Sequence, residues 1–182
     1  MTQLGRQTFS PFEALLMLSL VANGLMLGFF YAWVCSTMWG LDAVDPRVAI
    51  SAMQAMNASV RNFAFGPVFF GTPFLLLVTA LIGWRQGVNR TARLLGLAGL
   101  VLLFGYLVLT AFINVPMNVA LGQQIVPQEM EAAQLMWENY SPTWQFWNTT
   151  RFIATGIGFI LAVCAAVIVL PNERLALREQ VQ

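Results

Sequence analysis

Histidine is absent from this chain, and all nine of its basic residues are arginine. Without imidazole there is no histidine general base, no axial histidine for a haem and no imidazole metal ligand. Cysteine is nearly absent too, with Cys35 and Cys164 the only two. Cys164 falls about twelve residues into the last apolar run, about 18 Å along a helix, whereas Cys35 sits near the other end of the first. No bond between them is expected, and both read as small apolar side chains. Charge is equally scarce: 9% of residues are charged and 58% hydrophobic, where a soluble domain carries about 25% charged residues. The net charge of +1 offers no basic surface of the kind nucleic acid requires.

What remains is apolar and arranged in runs. Ala14 to Cys35, Phe63 to Trp84, Leu94 to Leu121 and Phe152 to Leu170 contain no charge, and each approaches the ~20 residues a helix needs to cross a hydrocarbon core about 30 Å thick. The expected fold is all-α: a four-span transmembrane helix bundle in a single integral membrane domain, with spans at about 12–37, 63–84, 94–121 and 149–170. Two short extramembrane helices, at about 46–61 and 127–140, are expected on the outer side. Arg6, Arg85, Arg90, Arg93, Arg174 and Arg178 fall on one side of this plan. Basic residues are retained on the cytoplasmic side, so both termini are expected inside, in a bacterial inner membrane. A cleaved signal peptide is the rival reading of the first run, but the run is too long and its basic region holds only Arg6.

Local signals sharpen the boundaries. Ser10-Pro11-Phe12-Glu13 is a capping box that starts the first span, and Asp45-Pro46 is a cap and first residue for an extramembrane helix. Gly24 and Gly28 have the small-x-x-x-small spacing of a close helix contact. Pro67 and Pro73 should each remove a backbone hydrogen bond from the second span, with Thr72 near enough to satisfy a freed carbonyl. Arg85 to Arg93 reads as a short turn, Met53 and Met56 as core packing, and Ser141-Pro142 as a break between an extramembrane helix and the fourth span. Glu131 and Glu138 share one helix face and read as a solvated surface rather than a metal site.

The polar residues at the run ends are the candidates for a site. Asn114 and Asn118 flank Pro116, which cannot donate to the carbonyl of Phe112, so the helix should kink or loosen there. The two amides either mend that ladder or face a ligand. Trp144, Trp147, Asn148 and Arg151 share one side of the entry to the fourth span. Tryptophans at this level, Trp137 included, are ordinary in an interfacial belt, but an arginine at a span entrance must snorkel or find an acceptor. A short echo links Asn57 to Phe63 with Asn148 to Phe152: asparagine, hydroxyl, arginine, phenylalanine. It suggests two parallel halves that place Asn57, Arg61, Asn148 and Arg151 around a shared outer cavity.

The order Asn114-Val115-Pro116-Met117-Asn118, then Trp137, Trp144, Trp147-Asn148 and Arg151, resembles the anthrone-oxygenase-like family of small four-helix membrane proteins. The resemblance implies a four-span fold and oxygenation of polycyclic anthrones to anthraquinones, with no cofactor expected. The function expected is an outer-side pocket for a small apolar or aromatic molecule, on an oxidoreductase of this kind. Asn57, Arg61, Asn114, Asn118, Trp137, Tyr140, Trp144, Trp147, Asn148 and Arg151 are its expected ligand-binding residues. No catalytic residue is assigned; Glu138, Tyr140 or the substrate itself are the bases left to such a site. The alternative is a non-catalytic membrane protein that binds lipid or a quinone-like molecule or serves as an assembly partner. Expected partners are membrane lipids and the small ligand, with self-association as a homo-oligomer left open.

Overall fold

A computed structural model describes residues 10–179, with side chains through Val169. All regular structure among these residues is helical. Arg6, on which the expected orientation partly rests, lies outside the described residues, as do the side chains of Arg174 and Arg178.

Helix α1 (Pro11–Ala32) starts on the expected capping box: Glu13 N–H donates to Ser10 Oγ at 3.2 Å and Ser10 N–H to Glu13 Oε2 at 2.7 Å. It continues through a π-helical turn (Trp33–Thr37) into α2 (Met38–Asp42), so the first span runs unbroken past Trp39-Gly40 to Asp42. Helix α3 (Pro46–Ser59) starts on Asp45, whose carboxylate accepts from Arg47 N–H at 2.9 Å. The side-chain hydrogen bonds of Arg47 hold that carboxyl below its ordinary range.

The second span, α4 (Gly66–Arg85), starts three residues later than expected from Phe63. Pro67 therefore sits in its first turn, where no bond is lost, and only Pro73 interrupts the ladder. Thr72 does not mend that gap, since its Oγ1 donates to Val68 O at 2.6 Å. The carbonyl orphaned by Pro73 is that of Phe69, and Tyr106 Oη reaches across to donate to it at 2.7 Å. The Arg85–Arg93 turn is tighter than expected, because Gly87 takes a φ of 81° that few other residues tolerate. Arg90 and Arg93 already lie in α5 (Asn89–Leu102). Two π-helical segments follow, Leu103–Val108 and Thr110–Asn114, before α6 (Val115–Gly122). The loosening expected at Pro116 takes this form, a widened turn ahead of the proline.

The largest correction concerns Ser141-Pro142. The expected helix at 127–140 and the fourth span are one helix, α7 (Met130–Glu179), 50 residues long. Pro142 costs it one donor on an exposed face, while the buried face is held on both sides: Trp137 Nε1 donates to Asp42 Oδ1 at 2.9 Å and Trp144 Nε1 to Asn118 Oδ1 at 3.0 Å. Only α3 is therefore a separate extramembrane helix.

Four helices are long and apolar enough to span a membrane: Pro11–Asp42, Gly66–Arg85, Asn89–Gly122 and Met130–Val169. They pack in a square, α1 on α4, α4 on α5, α5 on α7 and α7 on α1. Large apolar side chains such as Leu18, Leu25, Phe74, Leu81, Phe104 and Ile160 point outward, as suits a bundle solvated by lipid. This is an integral membrane protein. Close approach is admitted at Gly83, Gly99, Gly105 and Gly158, where an added Cβ would lie 2.8 Å from Phe12, 2.7 Å from Leu77, 2.5 Å from Ala154 and closer still to Leu102. Gly24 and Gly28 do not serve this purpose, since a Cβ at Gly28 meets nothing within 4 Å and one at Gly24 only the Phe159 ring at 3.5 Å.

The core has two parts. One fills the bundle around Leu76, Leu95, Leu102 and Tyr106. The other lies under α3, where Ile50 and Met53 are fully buried against Trp33, Trp137 and Trp144. Burying side chains of this size stabilises by about 1.5 to 3 kcal/mol each. Gln54 Nε2 donates to Leu121 O at 2.8 Å and Gln124 O at 3.0 Å, which fixes α3 as a cap over the end of α6.

Candidate functional site

Where the two parts of the core meet, beneath α3, a cavity of about 430 Å³ remains. Its walls are mainly aromatic, with Phe29, Phe30, Trp33, Phe65, Phe69 and Trp144 the largest. Phe29 and Phe65 lie 4.8 Å apart between ring centroids and Phe65 stacks on Phe69 at 5.0 Å, so the apolar wall is continuous. Three widened or broken helix segments border it: the π turn at Trp33, the π segment at Thr110, and the 60–65 stretch between α3 and α4. π-helical turns are frequent at functional sites because they redirect side chains that a regular helix would stack.

The polar side of the cavity is built on α7 and its neighbours. Arg151 is only 6% exposed. Its Nη1 donates to Thr110 Oγ1 at 3.1 Å and its Nη2 to Asn148 Oδ1 at 3.0 Å. The guanidinium carbon lies 4.9 Å from the centre of the Phe30 ring and 5.4 Å from that of Trp144. No carboxylate pairs with it, since the one ion pair among the described residues joins Arg47 and Asp45. Among the described residues its Nε has no partner. Burying an uncompensated charge costs several kcal/mol, and two cation–π contacts at about 2 kcal/mol each when desolvated offset part of that.

Asn118 is the second polar node. Its Oδ1 accepts from Tyr140 Oη at 2.9 Å and from Trp144 Nε1 at 3.0 Å. Asn57 Nδ2 donates to Tyr140 Oη at 3.4 Å, linking α3 to the same node. Of the ten residues singled out in the sequence, Asn57, Arg61, Asn118, Trp144, Asn148 and Arg151 line the cavity, with Arg61 exposed at its rim. Tyr140 stands one bond behind it, its hydroxyl proton engaged by Asn118.

The other three lie elsewhere. Trp137 is buried under α3 and donates to Asp42, which also accepts from Ser141 Oγ at 2.7 Å and Gln145 Nε2 at 2.8 Å. Trp147 is half-buried and edge-on to Phe146, away from the cavity wall. Asn114 is fully buried, but neither end of its amide has a partner among the described residues, and it does not line the cavity. Of the two amides expected either to mend the ladder or to face a ligand, Asn118 lines the cavity, while Asn114 does neither among the described residues. Glu138 is exposed and accepts from Gln134 at 2.6 Å, so it is not placed as a base for the cavity.

The echo between the two span entries also has different geometry on its two sides. The chain turns over residues 60–65 after Asn57, whereas Asn148 and Arg151 sit inside an unbroken helix. Thr110, Phe30, Phe69 and Asp42 carry no signal in the sequence that marks them for this site. No group of three or more histidine, cysteine, aspartate or glutamate residues capable of holding a metal occurs among the described residues.

A four-span membrane bundle with an arginine-bearing aromatic cavity under an extramembrane cap is thus the class of protein that fold and site define. The chain belongs to the anthrone oxygenase family: the family profile described as Anthrone oxygenase matches residues 59–161, more than half of the 182. That stretch contains α4, α5, α6 and the part of α7 that carries Tyr140 through Arg151. Comparison with curated proteins and with solved structures returns no match.

Proposed function

We propose that the protein takes a small aromatic molecule from the bilayer into the cavity under α3 and acts on it as an anthrone-oxygenase-like oxidoreductase. The observation that carries this reading is a cavity of about 430 Å³ whose aromatic walls meet Arg151, Asn148 and Asn118 at one end. Ligand pockets usually measure about 300–1,000 Å³ and combine apolar walls with a few convergent polar groups. Phe70 and Val115 line the cavity and are also exposed on the lipid-facing surface, which supports lateral entry between α4 and α6. The capped end faces away from the cytoplasm on this reading, with both termini inside.

Oxygenation of an anthrone converts one ring methylene and O2 to a carbonyl and water. Loss of a methylene proton makes the opposite ring oxygen an enolate. Asn148 Nδ2 and the Arg151 guanidinium are the donors that would stabilise it, and such a donor is commonly worth roughly 3 to 4 kcal/mol. The base is the substrate's own phenolate or water, because Tyr140 Oη is committed to Asn118.

The test is oxygen uptake coupled to anthraquinone formation from an anthrone by the purified full chain in nanodiscs. Asn148→Ala and Arg151→Ala should each lower turnover at least about a hundredfold at unchanged helicity and elution volume. Full activity in both would contradict the proposal. Retention of bulk phospholipid alone in native mass spectrometry, with no turnover, would favour the non-catalytic lipid-binding alternative.

A further inference from the structure

The charges around the cavity do not balance. Two of its lining residues are arginines and none is an aspartate or glutamate. Asp42 and Asp45, which precede α3, are already engaged: Asp42 holds Trp137, Ser141 and Gln145, and Asp45 holds Arg47. Arg151 is more than nine-tenths buried, its contacts are neutral or aromatic, and its Nε is unpartnered. A guanidinium presents a planar fork of donors that matches a carboxylate or other anionic oxygen. Ordinarily a protein that buries one supplies the anion itself.

We propose that the guest supplies it: the cavity is selective for an anion, an aromatic carboxylate or ionised phenol whose oxygen meets Arg151 while its rings lie against Phe65 and Phe69. This rests on the reading of the cavity as a ligand site and adds the charge of the ligand. Thr110 and Asn148 hold the guanidinium from the helix side. Arg61, exposed at the rim, adds a second positive charge on the way in. The same chemistry is shared by the headgroup phosphate of an anionic lipid, and the experiment separates the two sources.

The full chain in phosphatidylcholine nanodiscs is titrated calorimetrically with 2-naphthoate and with its neutral isostere 2-naphthamide, each corrected for partition into empty discs. 2-Naphthoate should bind at least about tenfold more tightly than the amide. That preference should fall to within about twofold in Arg151→Gln and persist in Arg151→Lys, which keeps the charge. Equal affinities in the unmodified chain overturn the anion site but leave an aromatic cavity. Binding of neither probe overturns both. Loss of 2-naphthoate binding in phosphatidylglycerol discs, with that lipid retained in native mass spectrometry, upholds the anion site, assigns it to a headgroup and removes the aromatic guest. The comparison of probes in the unmodified chain stands even where Arg151→Gln fails to fold.

Discussion

One carbonyl oxygen, Asn118 Oδ1, receives both the Tyr140 hydroxyl and the Trp144 indole. Replacing Asn118 by alanine leaves two donors without an acceptor, each costing about 1 to 3 kcal/mol when buried. Asn118→Ala should therefore unfold at lower denaturant in micelles, with a loss of about 2 kcal/mol or more. Asn118→Asp keeps the acceptor but puts an acid into the cavity wall. It should stay folded and bind 2-naphthoate more weakly, and calorimetry on that variant checks the outcome. Asparagines and arginine inside apolar runs are legible in the sequence, because in lipid a polar group without a partner is costly. Thr110 is not, because a threonine in a membrane helix usually bonds its own chain four residues back, as Thr72, Thr79 and Thr155 do here. Phe30 and Phe69 were equally hidden among fourteen phenylalanines.

Among the elements, α7 carries most of the site, and its continuity depends on contacts across Pro142. Ala133, Trp137, Tyr140, Trp144, Asn148, Arg151 and Thr155 are buried at spacings of three and four, so a single stripe passes straight through the Ser-Pro pair. That stripe is legible in the sequence, and tertiary packing overrides the local break signal. Asp42 fastens the segment with three side-chain bonds. Asp42→Ala should raise amide hydrogen exchange over residues 137–145 while leaving that of α4 unchanged. Unaltered exchange there would show that Asp42 is not the fastening.

Tyr106 does for α4 what the sequence assigned to Thr72. Tyr106→Phe leaves the Phe69 carbonyl orphaned and should cost about 1 to 3 kcal/mol by denaturant unfolding. Of the three π-helical segments only Thr110–Asn114 has a sequence signal, Pro116 just beyond it; the other two have none, since a shifted hydrogen-bond register is invisible to periodicity over five or six residues.

At the scale of the whole molecule, the four spans were legible because lipid imposes length and apolarity together. The number of caps was not: it depends on whether one proline ends a helix, and α3 alone remains separate. Orientation is testable on intact cells. With Cys35 and Cys164 replaced by serine, a cysteine placed at Ile125, which is 89% exposed, should react with a membrane-impermeant maleimide. A cysteine at Gln86, in the opposite turn, should react only after lysis. The reverse pattern would invert the protein in the membrane.

Whether the cavity beneath α3 holds an aromatic anion on Arg151 is decided by crystallography of the full chain with 6-bromo-2-naphthoate. Anomalous bromine density is expected against Phe65 and Phe69, with the carboxylate on the Arg151 guanidinium. Bromine found only at the lipid-facing surface, with the cavity filled by acyl chain, would rule out an aromatic anion on Arg151.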